Sequence, residues 1–85
     1  MKVLILEDET LAADRLEQLL TKLMPEATVV ARLKSIEAAV PWLSEQPQPD
    51  LILSDIRLLD GLCFEIFEKV SVGSPVIFTT AYDQY

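Results

Sequence analysis

Three carboxylates follow apolar segments of the chain that have the composition of buried β-strands. Glu7 and Asp8 come directly after the apolar residues 3–6, and Asp55 comes directly after residues 51–54. Because the carboxyl ends of parallel strands open into one crevice of a sheet, we expect these side chains to converge. Three like charges within about 4 to 6 Å repel by about 3 to 4 kcal/mol per pair at an effective dielectric near 20, unless a metal ion or a proton intervenes. Carboxylate oxygens suit a hard cation, so the sequence predicts a Mg²⁺ site.

Composition indicates one compact, acidic domain. The chain has 85 residues, 51% of them apolar, and its 14 Asp plus Glu outnumber 7 Lys plus Arg to give a formal net charge of −7. This charge opposes the counterion release that drives nucleic-acid binding, so no direct contact with nucleic acid is expected of this segment. Without an apolar run of about 18 residues or a signal peptide, the sequence predicts a cytoplasmic protein with no membrane span. One Cys and no His exclude an internal disulfide and zinc-type sites.

The apolar pattern predicts four strands that alternate with three helices. Segments 2–6 and 50–54 lack polar alternation, as is typical of strands buried on both faces of a parallel sheet. The order β-α-β-α-β-α-β requires crossover helices between parallel strands, and it favours an α/β fold with helices on both faces of the sheet. The expected elements, in chain order, are strand 2–6, helix 10–24, strand 27–33, helix 36–45, strand 50–54, helix 62–70 and strand 76–80.

Capping residues and a proline mark the expected helices. Thr10 is a candidate N-cap for the first helix, and Ser35 is a candidate N-cap for the second. Pro41 lies inside the second helix, where loss of a backbone donor costs about 3 kcal/mol, so we expect a bend there. Asp60 and Gly61 mark a turn before the third helix.

The last residues indicate an incomplete sheet. A doubly wound, flavodoxin-like α/β unit normally has about five strands, whereas this chain supplies four and then the first turn of a helix. The fourth strand, residues 76–80, would then be an apolar edge with unpaired backbone groups. We expect residues 1–85 to be one domain that is truncated on its C-terminal side, or one that completes its sheet by dimerisation or strand exchange.

Five residues at the ends of expected strands carry a resemblance to a known family. They are the acidic pair Glu7 and Asp8, the lone Asp55, and the pair Thr80 and Ala81. Any one of these motifs is weak alone, but the combination resembles the receiver domain of bacterial two-component response regulators. The resemblance covers all 85 residues.

Two local segments strengthen this resemblance. Segment 55–61, DIRLLDG, resembles the corresponding loop of receivers. Together with segment 78–85, FTTAYDQY, it is most similar to receivers that precede a LytTR-type DNA-binding domain. The family implies a phosphorylation-dependent switch that controls an output domain and transcription. Its chemistry is confined to its own aspartate, so the resemblance does not imply an enzyme with an external product.

The resemblance also implies a role for each acidic residue. Asp55 would accept a phosphoryl group from a histidine kinase. Asp8 and the Asp55 carboxylate would bind Mg²⁺ directly, together with the backbone carbonyl of Arg57, while Glu7 would act through a bound water. The chemistry agrees with these roles, since phosphoryl transfer to a carboxylate needs charge neutralisation and in-line positioning and little else from the protein.

The Thr-Ala pair has an implied role on the opposite side of the phosphoryl group. Thr80 would donate a hydroxyl hydrogen bond to the new phosphoryl oxygen, and Ala81 would leave room beside it. Thr79 is a rival for the hydroxyl role, but the Thr-Ala order favours Thr80.

The chain departs from the family pattern at two places. Leu59 replaces a proline that is often found in the loop after the phosphoacceptor. The lysine that the family places after a fifth strand would lie beyond Tyr85, so we expect weak or absent phosphorylation of the 85 residues alone.

Three other interpretations stay open at this point. The chain could be a degenerate receiver or fragment that acts only as a protein interaction or dimerisation module. It could be a Mg²⁺-dependent phosphohydrolase, although segment 7–10, EDET, lacks the usual second Asp two residues after a nucleophile. Glu7 and Asp8 could also be solvated residues that begin a helix, where negative charge is favoured by about 0.3 to 1 kcal/mol.

Overall fold

A computed structural model describes residues 1–79 of the chain. The predicted roles of Thr80 and Ala81 therefore lie outside the described residues. The elements are β1 (Lys2–Leu6), α1 (Thr10–Leu23), β2 (Thr28–Leu33), α2 (Ile36–Glu45), β3 (Leu51–Asp55), β4 (Arg57–Leu58), β5 (Gly61–Leu62), α3 (Phe64–Lys69) and β6 (Val76–Thr79).

Four parallel strands form the main sheet, in the order β2-β1-β3-β6. The predicted parallel α/β architecture is confirmed, and β1 lies next to β3 as the site requires. Leu6 pairs with Ser54 at the carboxyl ends of these two strands. The residues that follow Leu6 therefore lie beside Asp55, which ends β3.

Alternate residues of β1 pack against helices on opposite faces of the sheet. Val3 and Ile5 belong to a cluster with Ala13 and Leu20 of α1. Leu4 and Leu6 belong to a second cluster, which α2 and α3 complete with Ile36, Ala39, Leu43 and Ile66. Because residues 3–6 are fully buried, an unbroken apolar segment is the only composition that suits this central strand.

One of the two predicted helix caps is confirmed, and the other is wrong. Ser35 caps α2 as expected, since its side chain accepts a hydrogen bond from the Ala38 N–H at 3.0 Å. The prediction that Thr10 caps α1 is wrong, because the N-cap is Glu9 and Thr10 is the first helical residue. Thr10 Oγ1 instead accepts a hydrogen bond from Lys34 Nζ at 3.0 Å. The two residues are far apart in the sequence, so the residues around Thr10 do not predict this contact. α2 continues through Pro41, and the bend expected there stays a prediction.

A short antiparallel hairpin of β4 and β5 replaces the expected start of the third helix. Leu58 pairs with Gly61, so the helix begins only at Phe64 instead of Leu62. Gly61 has φ +147°, a conformation that side-chain-bearing residues rarely adopt. The turn predicted at Asp60 and Gly61 is therefore confirmed, but it closes a hairpin and does not lead directly into a helix.

Asp60 of this hairpin holds the beginning of α2. Its Oδ1 accepts from the Ile36 N–H at 2.7 Å, and its Oδ2 accepts from the Glu37 N–H at 3.0 Å. These bonds satisfy two of the backbone donors that a helix leaves unpaired at its N-terminus. They also lower the pKa of the Asp60 carboxyl group, the bond from Ile36 most strongly.

The strand β6 lies at one edge of the described sheet. Its side chains Ile77 and Phe78 are 53% and 44% exposed, and the Phe78 ring lies 5.4 Å from that of Phe64. Pairing of this edge with a second chain stays a prediction. Within residues 1–79, no helix has the length and apolar character needed to cross a membrane.

We expect Gly61→Ala to lower the free energy of unfolding by about 1 to 3 kcal/mol, because the positive φ strains any side chain. A Cβ at this position would also lie 2.5 Å from Glu65 Oε2. Urea unfolding of the two proteins measures the difference. The matched control is Gly73→Ala, where a Cβ meets nothing within 4 Å. Equal losses for the two variants would contradict this account of the hairpin.

Candidate functional site

The carboxylates of Glu7, Asp8 and Asp55 meet at the carboxyl ends of β1 and β3. One oxygen of each lies within 4.8 Å of one oxygen of each of the others. The convergence predicted from the sequence is therefore present. It follows from the pairing of Leu6 with Ser54, which places Glu7 and Asp55 on adjacent strand ends.

Burial makes this cluster of charges costly. Glu7 is only 7% exposed, whereas Asp8 and Asp55 are partly exposed. The pKa of Glu7 is raised to about 7, chiefly by burial and also by the neighbouring Asp55 and Asp8, against the lowering effect of a hydrogen bond from the Glu9 N–H. Two carboxylates at this separation repel by about 3 to 4 kcal/mol at an effective dielectric near 20. The site therefore gains stability from a proton or a cation.

Backbone groups fix the direction of two of these carboxylates. Asp55 Oδ1 accepts from the Ile56 N–H at 2.8 Å, and Glu7 Oε2 accepts from the Glu9 N–H at 3.1 Å. Within residues 1–79, no Lys or Arg forms an ion pair with any of the three carboxylates. The ion pairs that are present join Arg32 to Asp14 and Glu17, none of which is a member of the carboxylate cluster.

The donor set fits a hard divalent cation. All three donors are carboxylate oxygens, the ligands that Mg²⁺ and Ca²⁺ prefer, and the chain has no His and one Cys. That Cys is Cys63, which is fully buried in the core cluster and has a raised pKa, chiefly because of its burial. It is not a candidate for a soft-metal ligand here.

An open cavity of about 320 Å³ lies against the carboxylates. Glu7, Asp55 and Thr79 line it from the strand ends, and α1 contributes apolar side chains and Arg15. The cavity has space for a group larger than a metal ion beside Asp55. Its position at the carboxyl ends of parallel strands is where open α/β sheets bind their ligands.

Of the remaining predicted site residues, Arg57 lies within residues 1–79, whereas Thr80 and Ala81 do not. Arg57 begins β4, two residues after Asp55, and its side chain is exposed. Use of its backbone carbonyl as a metal ligand stays a prediction, as do the roles of Thr80 and Ala81.

The Thr-Ala order favours Thr80 over Thr79 as the hydroxyl donor, and this preference stays a prediction. In the structure, Thr79 pairs in register with Asp55 across β3 and β6.

Comparisons with known proteins identify the family to which the chain is similar. The model of the response regulator receiver domain family matches residues 3–85. The sensory transduction protein LytT of Enterococcus faecalis is 39% identical over 88 residues, covering 100% of this chain and 36% of that protein. The chain therefore spans about a third of the length of the curated relatives it matches.

Two solved structures are similar in fold. The receiver domain of PhyR from Erythrobacter litoralis, solved by NMR, has a TM-score of 0.72 and 33% identity, covering 98% of this chain and 64% of that one. The MaeR response regulator bound to beryllium trifluoride has a TM-score of 0.75 and 26% identity, covering 95% and 67% of the two chains.

The fold and the carboxylate cluster define a receiver of the flavodoxin-like α/β class. The chain belongs to the response regulator receiver domain family of two-component systems. Receiver domains of this family interact with histidine kinases and generally use Mg²⁺. The family and fold predicted from the sequence are confirmed.

Glu7 should make the cation-free protein less stable as pH rises. Its pKa of about 7 in the folded state exceeds the usual 4.5, so the folded state binds the proton more tightly than the unfolded state does. The resulting stabilisation is complete below pH 4.5 and is lost as pH rises to about 7, a change on the order of 3 kcal/mol.

Chemical denaturation in EDTA between pH 4.5 and 8 measures this loss. We expect Glu7→Gln to remove most of it, and Glu26→Gln, a change at an exposed glutamate, to leave it intact. Parallel pH profiles for wild type and Glu7→Gln would show that burial of Glu7 does not control its ionisation.

Proposed function

We propose that this receiver accepts a phosphoryl group on Asp55 from the phosphohistidine of a histidine kinase and thereby controls an output domain. The observation that carries the proposal is the convergence of three carboxylates from β1 and β3 beside an open cavity. The alternative function, an interaction module without phosphorylation, has no need to keep this electrostatically costly cluster.

In the proposed reaction, an Asp55 carboxylate oxygen attacks the phosphorus atom of phosphohistidine. A P–O bond forms, the P–N bond breaks, and its electron pair leaves with the imidazole nitrogen, so that the product on the chain is an acyl phosphate. Asp55 Oδ1 accepts a hydrogen bond from the Ile56 N–H, whereas Asp55 Oδ2 accepts no hydrogen bond from residues 1–79. Oδ2 is therefore the proposed nucleophile, with Oδ1 as the oxygen that fixes its direction. The reaction is confined to this one side chain, so the chain has no external product.

Asp8 and Asp55 are the proposed direct ligands of Mg²⁺, with the Arg57 carbonyl as a third and Glu7 acting through water. When bound, Mg²⁺ supplies positive charge that neutralises the oxygens of the transferred phosphoryl group. Support comes from the oxygen-only donor set and from the raised pKa of Glu7, which reflects burial and the two neighbouring carboxylates. A divalent cation would relieve that repulsion.

Thr80 and Ala81 complete the proposed site. The Thr80 hydroxyl donates a hydrogen bond to the phosphoryl oxygen, and the small Ala81 side chain leaves room for it. The new group carries about −1.5 to −2 charges, enough to attract the Thr80 hydroxyl toward it.

Relatives support a signalling role for the protein as a whole. The LytT proteins are described as sensory transduction proteins, and the MaeR structure contains beryllium trifluoride. A LytTR-type output domain, a cytoplasmic location and control of transcription belong to this proposal. The cognate partner on the input side is a histidine kinase.

Acetyl phosphate with Mg²⁺, followed by intact-mass measurement, tests the proposal on the protein at its natural length. We expect a stoichiometric gain of about 80 Da, one phosphoryl group. The gain should disappear in Asp55→Asn, and in wild type when EDTA removes the divalent cation. Asp50→Asn is the matched control, because Asp50 is an exposed aspartate at the opposite end of β3.

A stoichiometric gain that persists in Asp55→Asn would place the phosphoryl group elsewhere and overturn the proposal.

A further inference from the structure

Within residues 1–79, the hydroxyl oxygen of Thr79 is a buried side-chain atom that has no hydrogen-bond partner. Thr79 ends β6 and pairs in register with Asp55 across β3 and β6. It lines the same cavity as Glu7 and Asp55. Its Oγ1 is shielded from solvent and makes no hydrogen bond within residues 1–79.

An unpaired buried hydroxyl destabilises a protein, because it gives up its hydrogen bonds to water and receives none in return. Valine has nearly the same shape, is a strong β-former and would avoid this loss at the end of a strand. Among residues 1–79, the hydroxyl of Thr79 therefore has no hydrogen-bonding role while Asp55 carries no added group. A favourable role requires a state in which an acceptor enters the cavity.

The surroundings of Thr79 define what that acceptor is. The cavity has the carboxylates of Glu7 and Asp55 on its walls, and neither accepts a hydrogen bond from Thr79 Oγ1. A tetrahedral group attached to Asp55 would extend from that carboxylate into the cavity and present charged oxygens to the neighbouring strand end. An O–H donor to such an oxygen forms a short, charge-assisted hydrogen bond.

We infer that Thr79 is a phosphoryl-binding residue of this receiver, whose hydroxyl donates a hydrogen bond to an oxygen of the phosphoryl group on Asp55. This role is separate from that of Thr80 and rests on the proposed phosphorylation of Asp55. It joins the edge strand β6 directly to the phosphoryl group, so that both members of the Thr-Thr pair act on it.

Thr79→Val and Thr79→Ser, made in the protein at its natural length, test this inference. Beryllium trifluoride with Mg²⁺ is the probe, and thermal unfolding with and without it is the measurement. We expect Thr79→Val to keep or raise the Tm of the protein without the probe, since an unpaired hydroxyl is lost. The same variant should bind the probe about tenfold more weakly, because a hydrogen bond to a charged group is lost. Thr79→Ser should bind it as wild type does.

Thr28→Val is the matched control, because Thr28 is an exposed threonine on the other edge strand, β2. It should change neither the Tm nor the affinity for the probe by the margin expected of Thr79→Val.

The possible outcomes separate this inference from the proposed function. If wild type binds beryllium trifluoride and Thr79→Val binds it equally well, Thr79 does not contact the phosphoryl group and the inference is overturned. If Thr79→Val lowers the Tm without the probe and leaves the change on binding intact, the hydroxyl has a structural partner, which also overturns it. If wild type neither binds the probe nor gains a phosphoryl group from acetyl phosphate, the proposed function itself fails.

Discussion

The electrostatic repulsion among three carboxylates at the ends of two adjacent strands is the constraint on which this structure depends. Glu7, Asp8 and Asp55 bring oxygens within 4.8 Å of one another, and burial adds to the cost at Glu7. A loosely held site would separate these charges. Here β1 is packed from both faces and paired on both sides, so the strand ends cannot move apart without breaking the core. The apolar core therefore supplies the stability that maintains the cluster.

The amino-acid pattern predicts the parts of the structure that depend on local composition. Residues 3–6 and 51–53 are apolar without alternation because both faces of their strands are covered, and this property is visible in the sequence. The general rule that parallel strands end in one crevice then predicts the convergence of Glu7, Asp8 and Asp55. Neither step needs information about contacts between distant residues.

Three features that the pattern did not predict depend on such distant contacts. Thr10 has a good capping side chain, but its hydroxyl accepts from Lys34 and does not cap α1. Asp60 looks like an ordinary turn residue, yet its carboxylate holds the start of α2. The place of Thr79 in the site depends on its register with Asp55, which a local motif cannot specify.

The loop after Asp55 shows how such contacts compensate for a departure from the family pattern. Leu59 occupies a position where proline is often found, and a more flexible loop would hold a metal ligand less firmly. However, the Leu59 N–H donates to the Lys34 carbonyl at 3.2 Å, a bond that proline cannot make. The Asp60 carboxylate accepts a hydrogen bond from the Ile36 N–H at the start of α2. The Cys63 N–H donates to the Ile56 carbonyl at 2.7 Å. Because hydrogen bonds hold this loop at both ends and at its tip, the chain replaces the intrinsic stiffness of proline with contacts to Lys34 and to the start of α2.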